Sequence, residues 1–115
     1  MKICVLVEQN RRQEIEKILE PTGWDALFMP CDESAATMAV ELNPECFLID
    51  EIMINIDSFE ICKRIRELPS SSDMPILMLS AAQSKVDDLD VLRFGIDNMI
   101  PSNLNSNELK TFIEE

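Results

Sequence analysis

The chain has no histidine, and its four cysteines, Cys4, Cys31, Cys46 and Cys62, form no CxxC pair, so the usual ligand sets of a zinc site are missing. Glycine and proline are scarce, 2 and 6 of 115 residues, and no segment is of low complexity, which argues against a disordered or linker-like chain. Basic residues number only 10 against 22 acidic ones, and the net charge of -12 opposes binding to nucleic acid phosphates or to anionic lipid. No apolar run approaches the length needed to span a bilayer. The opening run from Ile3 to Val7 is also too short for the core of a secretory signal, and Glu8, Gln9 and Asn10 follow it at once. The four thiols are accordingly expected to be reduced, mostly buried and in a cytoplasmic protein.

What is present fits one folded domain over residues 1–115, with 46% hydrophobic residues to build a single core. Five short apolar runs, Ile3 to Val7, Trp24 to Met29, Cys46 to Ile49, Pro75 to Leu79 and Ile96 to Ile100, read as strands. Between and after them come apolar residues at helical spacing: Ile15, Ile18 and Leu19; Ala36, Ala39 and Val40; Ile61, Ile65 and Leu68; Val86, Leu89 and Leu92; Leu109, Phe112 and Ile113. The order is strand then helix, five times. Because runs such as Ile76-Leu77-Met78-Leu79 are apolar at successive positions, both sheet faces are expected to be covered, as in a parallel sheet. Local punctuation agrees. Asp57 with Glu60 and Asn105 with Glu108 have the spacing of a helix N-cap and its third residue, while Pro21 and Gly23 follow the first helix and Gly95 the fourth.

The expected fold is therefore α/β: a doubly wound, five-stranded parallel sheet flanked by five helices in a three-layer sandwich. Such a sheet places its ligand site beyond the carboxyl ends of the strands, where strand order reverses. Those ends carry Glu8, then Asp50 and Glu51, then Ser80, then Pro101, Ser102 and Asn103. A carboxylate so placed can act as a nucleophile toward a phosphoryl group if a cation and hydrogen-bond donors hold the oxygens. Asp50 is the candidate nucleophile, Glu8 and Asp50 are candidate magnesium ligands, and Ser80 is a candidate donor to a phosphoryl oxygen. Each of these residues taken singly has an ordinary alternative, as a strand-ending or solvated turn residue.

The stretch from Pro44 to Arg66, with an apolar strand, Asp50, a methionine-containing loop, Asp57 seven residues on and an amphipathic helix, resembles the receiver domains of two-component response regulators. Met74 to Ala81, Phe94 to Asp97 and Leu19 to Trp24 are similar to further segments of that family, in order over the whole chain. The resemblance implies a flavodoxin-like signalling module rather than an enzyme. It would be phosphorylated on Asp50 by a sensor histidine kinase or phosphotransfer protein. Glu8, Asp50 and the carbonyl of Ile52 would hold Mg2+, and Ser80 and the amide of Ala81 would hold the phosphoryl group. The last helix signal runs to Glu115 without a stop, as expected of the N-terminal part of a longer protein with a C-terminal output domain or a separate downstream target.

Several positions depart from the family. Its acidic pair after the first strand is Val7-Glu8, and its lysine followed by proline after the fifth strand is Ser102-Asn103. A serine offers a phosphoryl oxygen a neutral hydrogen bond about half as strong as a charge-assisted one. Ile54 and Ser58 stand for the loop proline and glycine, and Met99 for the aromatic switch residue. These departures keep open an alternative, a phosphorylation-independent pseudo-receiver that acts as a protein-interaction module. A flavin-binding domain of similar topology would want a hydroxyl- and glycine-rich phosphate loop after the first strand, which Glu8-Gln9-Asn10-Arg11-Arg12 does not provide.

Overall fold

The computed structural model describes residues 1–71, 73–81, 84 and 86–114. Strands β1 (Lys2–Leu6), β2 (Asp25–Phe28), β3 (Cys46–Asp50), β4 (Ile76–Ser80) and β5 (Asn98–Pro101) alternate with helices α1 (Gln9–Leu19), α2 (Ala35–Glu41), α3 (Ser58–Glu67), α4 (Asp88–Arg93) and α5 (Ser106–Glu114). All strand pairs are parallel, in the order β2-β1-β3-β4-β5. The expected doubly wound sheet is thus present, with strand ends shifted by one or two residues from the apolar runs. Residue 115, to which the last helix signal runs, lies outside the described residues.

Alternation along the strands sorts the core into two layers. Cys4, Leu6, Phe47, Ile49, Ile76 and Met78 face α2 and α3, where they meet Ala35, Ala36, Ala39, Ile61, Cys62 and Ile65. Ile3, Val5, Cys46, Leu48, Leu77, Leu79 and Ile100 face α1 and α5, against Ile15, Leu19 and Leu109. Both faces of β1, β3 and β4 are dry, which is why those strands read as unbroken apolar runs.

The fourth helix corrects one expectation. Val86 precedes α4 rather than belonging to it, and Leu89 and Leu92 are 74% and 77% exposed. Val91 and Phe94 are the residues packed on the core, with Phe94 against Phe59 at 5.1 Å between ring centroids. Two apolar sets, offset by two residues and so on opposite faces, share this segment, and spacing alone does not choose between them. Elsewhere the local signals hold. Asn105 Oδ1 accepts from Glu108 N at 2.9 Å while Glu108 Oε1 accepts from Asn105 N at 3.2 Å, a reciprocal cap on α5. Asp57 caps α3 through Phe59 N at 2.9 Å.

Arg66, at the end of α3, ties three elements together. Its guanidinium donates to the carbonyls of Gly95 (2.9 Å), Ser71 (3.2 Å) and Met74 (2.6 Å), and pairs with Asp97 Oδ2 at 2.8 Å. Asp97 Oδ2 also accepts from Ile76 N at 2.7 Å, so the cluster sets where β4 begins. Gly95 has φ +71, and a Cβ there would lie 2.6 Å from Arg66 Cγ; both the turn and the close approach call for glycine.

Candidate functional site

The order of the sheet reverses between β1 and β3, and the carboxyl ends of these strands frame a crevice. Asp50 is the last residue of β3, two residues after Leu48, so its side chain belongs to the α1 and α5 layer. It is 3% exposed. Glu8 ends the turn after β1 as the N-cap residue of α1, in extended conformation, and Arg11 stands in the first turn of that helix. Glu8, Asn10, Arg11, Asp50, Ile52, Ile54, Leu79 and Ala81 line one cavity of about 190 Å³.

Arg11 approaches Asp50 most closely. Its Nη1 lies 3.1 Å from Asp50 Oδ1, its Nη2 donates to the carbonyl of Ser102 at 3.4 Å, and its Nε lies 3.6 Å from Glu14 Oε2. Asp50 Oδ2 is buried without a partner among the described residues. Burial pushes the Asp50 carboxyl up from its ordinary 3.8 to about 6; Arg11 works against the rise, and Glu14 and Glu8 add to it. At neutral pH the group is still mainly a carboxylate.

Of the residues expected at the site, Glu8, Asp50, Ile52 and Ala81 meet around this cavity. Glu8 commits Oε1 to the N–H of Ile54 at 2.6 Å, which holds the loop after β3 over α1. The amide of Ala81 already donates to Glu51 Oε1 at 3.1 Å. Ser80 is not on this cavity. It follows Met78 in the alternation of β4, its hydroxyl donates to the Ala81 carbonyl at 3.3 Å, and it lines a neighbouring hollow with Met99, Pro101, Ser102 and Asn103. Met99 stands beside Met78 across β4 and β5 and is half-buried.

Sequence reasoning missed Arg11 and gave Glu51 no role. A signal for Arg11 existed. It lies three residues after Glu8, hence on the first turn of a helix that starts at the crevice, and no lysine stands at the end of β5 to neutralise Asp50. Nothing local marked Glu51 as the partner of Ala81, because the contact spans 30 residues.

A parallel sheet of this order with a buried aspartate at the end of its third strand is the architecture of the receiver class of α/β domains. The sequence profile of the response regulator receiver domain matches residues 5–114, and the chain belongs to that family, which serves two-component signalling. The chain is 31% identical over 109 residues to the response regulator protein GraR of Staphylococcus haemolyticus, covering 91% of this chain and 46% of GraR. It is 29% identical over 106 residues to the probable transcriptional regulator ycf27 of Galdieria sulphuraria, covering 92% of this chain and 40% of that relative. It thus spans less than half the length of these relatives. Among solved structures, the chemotaxis protein CheY4 of Vibrio cholerae superposes with a TM-score of 0.85 at 20% identity, over 98% of this chain and 95% of CheY4. The receiver domain of a sensor histidine kinase from Pseudomonas aeruginosa, solved with a magnesium ion coordinated in its active-site cleft, gives 0.83 at 19% identity, over 98% and 93% of the two chains. These structural likenesses bear on the fold alone. Among the described residues no helix is long and apolar enough to cross a membrane.

Proposed function

We propose that Asp50 is the phosphoacceptor of this receiver domain and that phosphorylation switches its contacts with other proteins. The observation that carries the reading is the Asp50 carboxylate itself. It is buried at the sheet's switch point, on a cavity that opens to solvent, with one oxygen on a guanidinium and the other without a partner. A group so placed is costly to bury as a charge, and such groups cluster where chemistry is done.

In the transfer, an Asp50 oxygen forms a new bond to phosphorus as the bond from phosphorus to the donor breaks. With a phosphohistidine donor on a sensor kinase or phosphotransfer protein, the electron pair leaves on the imidazole nitrogen, which regains a proton. With a small acyl phosphate it leaves on the carboxylate oxygen. The chain therefore serves as an acceptor in signalling, not as an enzyme turning over a separate substrate.

The residues present fit a hard divalent cation. Asp50 Oδ2 lacks a partner, Glu8 has only one oxygen committed, and Ile52 stands on the same cavity with a backbone carbonyl. Glu8, Asp50 and Ile52 would hold Mg2+, which when bound supplies positive charge against the phosphoryl oxygens. Two carboxylates are fewer than many strong sites use, so weak binding is expected. The proposed readout surface is that of α4, β5 and α5, where Leu89 and Leu92 are exposed. The proposed location is the cytoplasm, and any output domain lies outside the residues at hand.

The test is to incubate the purified domain with magnesium and acetyl phosphate and follow intact mass. One added phosphoryl group in the wild type and none in Asp50→Asn is the expected result. No adduct with either protein would move the assignment to a pseudo-receiver that binds partners without phosphate. The occupied Ala81 amide gives that second reading its support.

A further inference from the structure

We infer that Arg11, on the first helix, is the cation that holds the phosphoryl group on Asp50, in place of any residue at the end of β5. The inference rests on Asp50 accepting phosphate, and it assigns a residue that neither the motif nor the strand-end pattern marked.

A phosphoryl group added to a carboxylate at the edge of a protein carrying a net charge of -12 needs a nearby positive charge. Among the described residues lining the cavity, Arg11 is the only cation. Its side chain is aimed by three contacts in one plane of donors: Nε beside Glu14, Nη1 on Asp50 Oδ1 and Nη2 on the Ser102 carbonyl. A guanidinium held at its edges is the form in which arginine best recognises phosphate, through parallel N–H donors. The Ser102 contact matters in particular. It brings the guanidinium from α1 across to the loop after β5, 91 residues away in sequence, so that the cation bridges both walls of the crevice. Ser102 itself supplies no charge there. The neighbouring Arg12 is turned elsewhere, stacked over the Phe28 ring at 4.5 Å and bonded to Glu16 at 3.2 Å. One arginine of the pair thus serves the site and the other the helix surface.

When phosphate arrives, Nη1 keeps an anionic partner, since the Asp50 oxygen it now touches becomes part of an acyl phosphate whose oxygens accept in its stead. Glu14, more than half exposed, is a positioning residue that steadies Nε.

The experiment measures the rate of phosphoryl incorporation from acetyl phosphate with magnesium, by intact mass, in wild type, Arg11→Gln, Arg11→Met and Arg12→Gln. Circular dichroism melts establish which variants fold, and either neutral Arg11 variant suffices. The expected result is a loss of roughly ten- to a hundred-fold for the Arg11 variants, the range for removing one charge-assisted donor from a reacting group. Arg12→Gln, which makes the same change in net charge, is expected to stay within about two-fold because it makes no contact with the site. Added methylguanidinium should restore part of the rate to the Arg11 variants and leave the wild type unchanged, a response that a merely structural role would not give. A folded Arg11 variant that labels at the wild-type rate or faster overturns the inference and leaves Asp50 as phosphoacceptor intact. A wild type that never labels removes both.

Discussion

Replacing Asp50 by asparagine should stabilise the fold at neutral pH, although it removes the ion pair with Arg11. The carboxyl is raised from 3.8 to about 6 in the folded chain, with the favourable pull of Arg11 already included. At 1.36 kcal/mol per pH unit, keeping it ionised in the fold costs about 3 kcal/mol at most. The cavity admits water, so the realised figure is expected nearer 1 to 2 kcal/mol, still a sizeable share of a typical domain's 5 to 15. The sign follows from the direction of the shift. Because the folded state holds its proton more tightly than the open chain, the neutral carboxyl's contribution is complete below about pH 4. It is lost as pH rises through about 6. Urea unfolding of both proteins between pH 4 and pH 8 provides the assay, with midpoints and slopes fitted at each pH. The two proteins differ only at residue 50, so the difference between their curves reports on the Asp50 carboxyl. The variant should be the more stable by about 1 to 2 kcal/mol at pH 7.5, with the gap closing toward pH 4. A gap of opposite sign, or one that does not change with pH, would refute the reasoning.

Two further outcomes are expected. Magnesium should stabilise the wild type and not Asp50→Asn; at ten times its dissociation constant the gain is about 1.4 kcal/mol, reversed by chelation, and an equal magnesium-induced shift in both proteins would exclude a site at Asp50. Arg66→Ala removes a largely buried guanidinium from three carbonyls and Asp97 and should cost about 2 to 4 kcal/mol in urea unfolding; a loss under about 0.5 would show that the cluster is dispensable.

The sheet was legible because Ile3, Leu48, Leu77 and their neighbours are buried on both faces, and nothing polar interrupts them until the strand ends. The crevice residues Glu8 and Asp50 were legible for the same reason, as the first acids after dry strands. The face of α4 was not. A helix of six residues with Leu89, Val91, Leu92 and Phe94 nearby has too few turns to declare which side is inward, and packing against Phe59 decides it. Ser80, expected as a donor to a phosphoryl oxygen, borders a neighbouring hollow with Met99 and Ser102, a placement that follows from the side-chain alternation of β4. Arg11 depended on how far a long side chain reaches across a crevice whose width only the packed helices set.

Asp50 and Glu51 are adjacent in the chain yet serve opposite sides of the sheet. The first is sunk among residues of the α1 layer. The second spans to the Ala81 amide and borders a hollow with Phe59 and Phe94 on the α3 and α4 side. A change of charge on Asp50 is therefore one peptide unit away from the bond that pins the chain where it leaves β4. The two core layers are thus joined, at the end of β3, through a single peptide unit that carries a buried acid on one side and the partner of the Ala81 amide on the other.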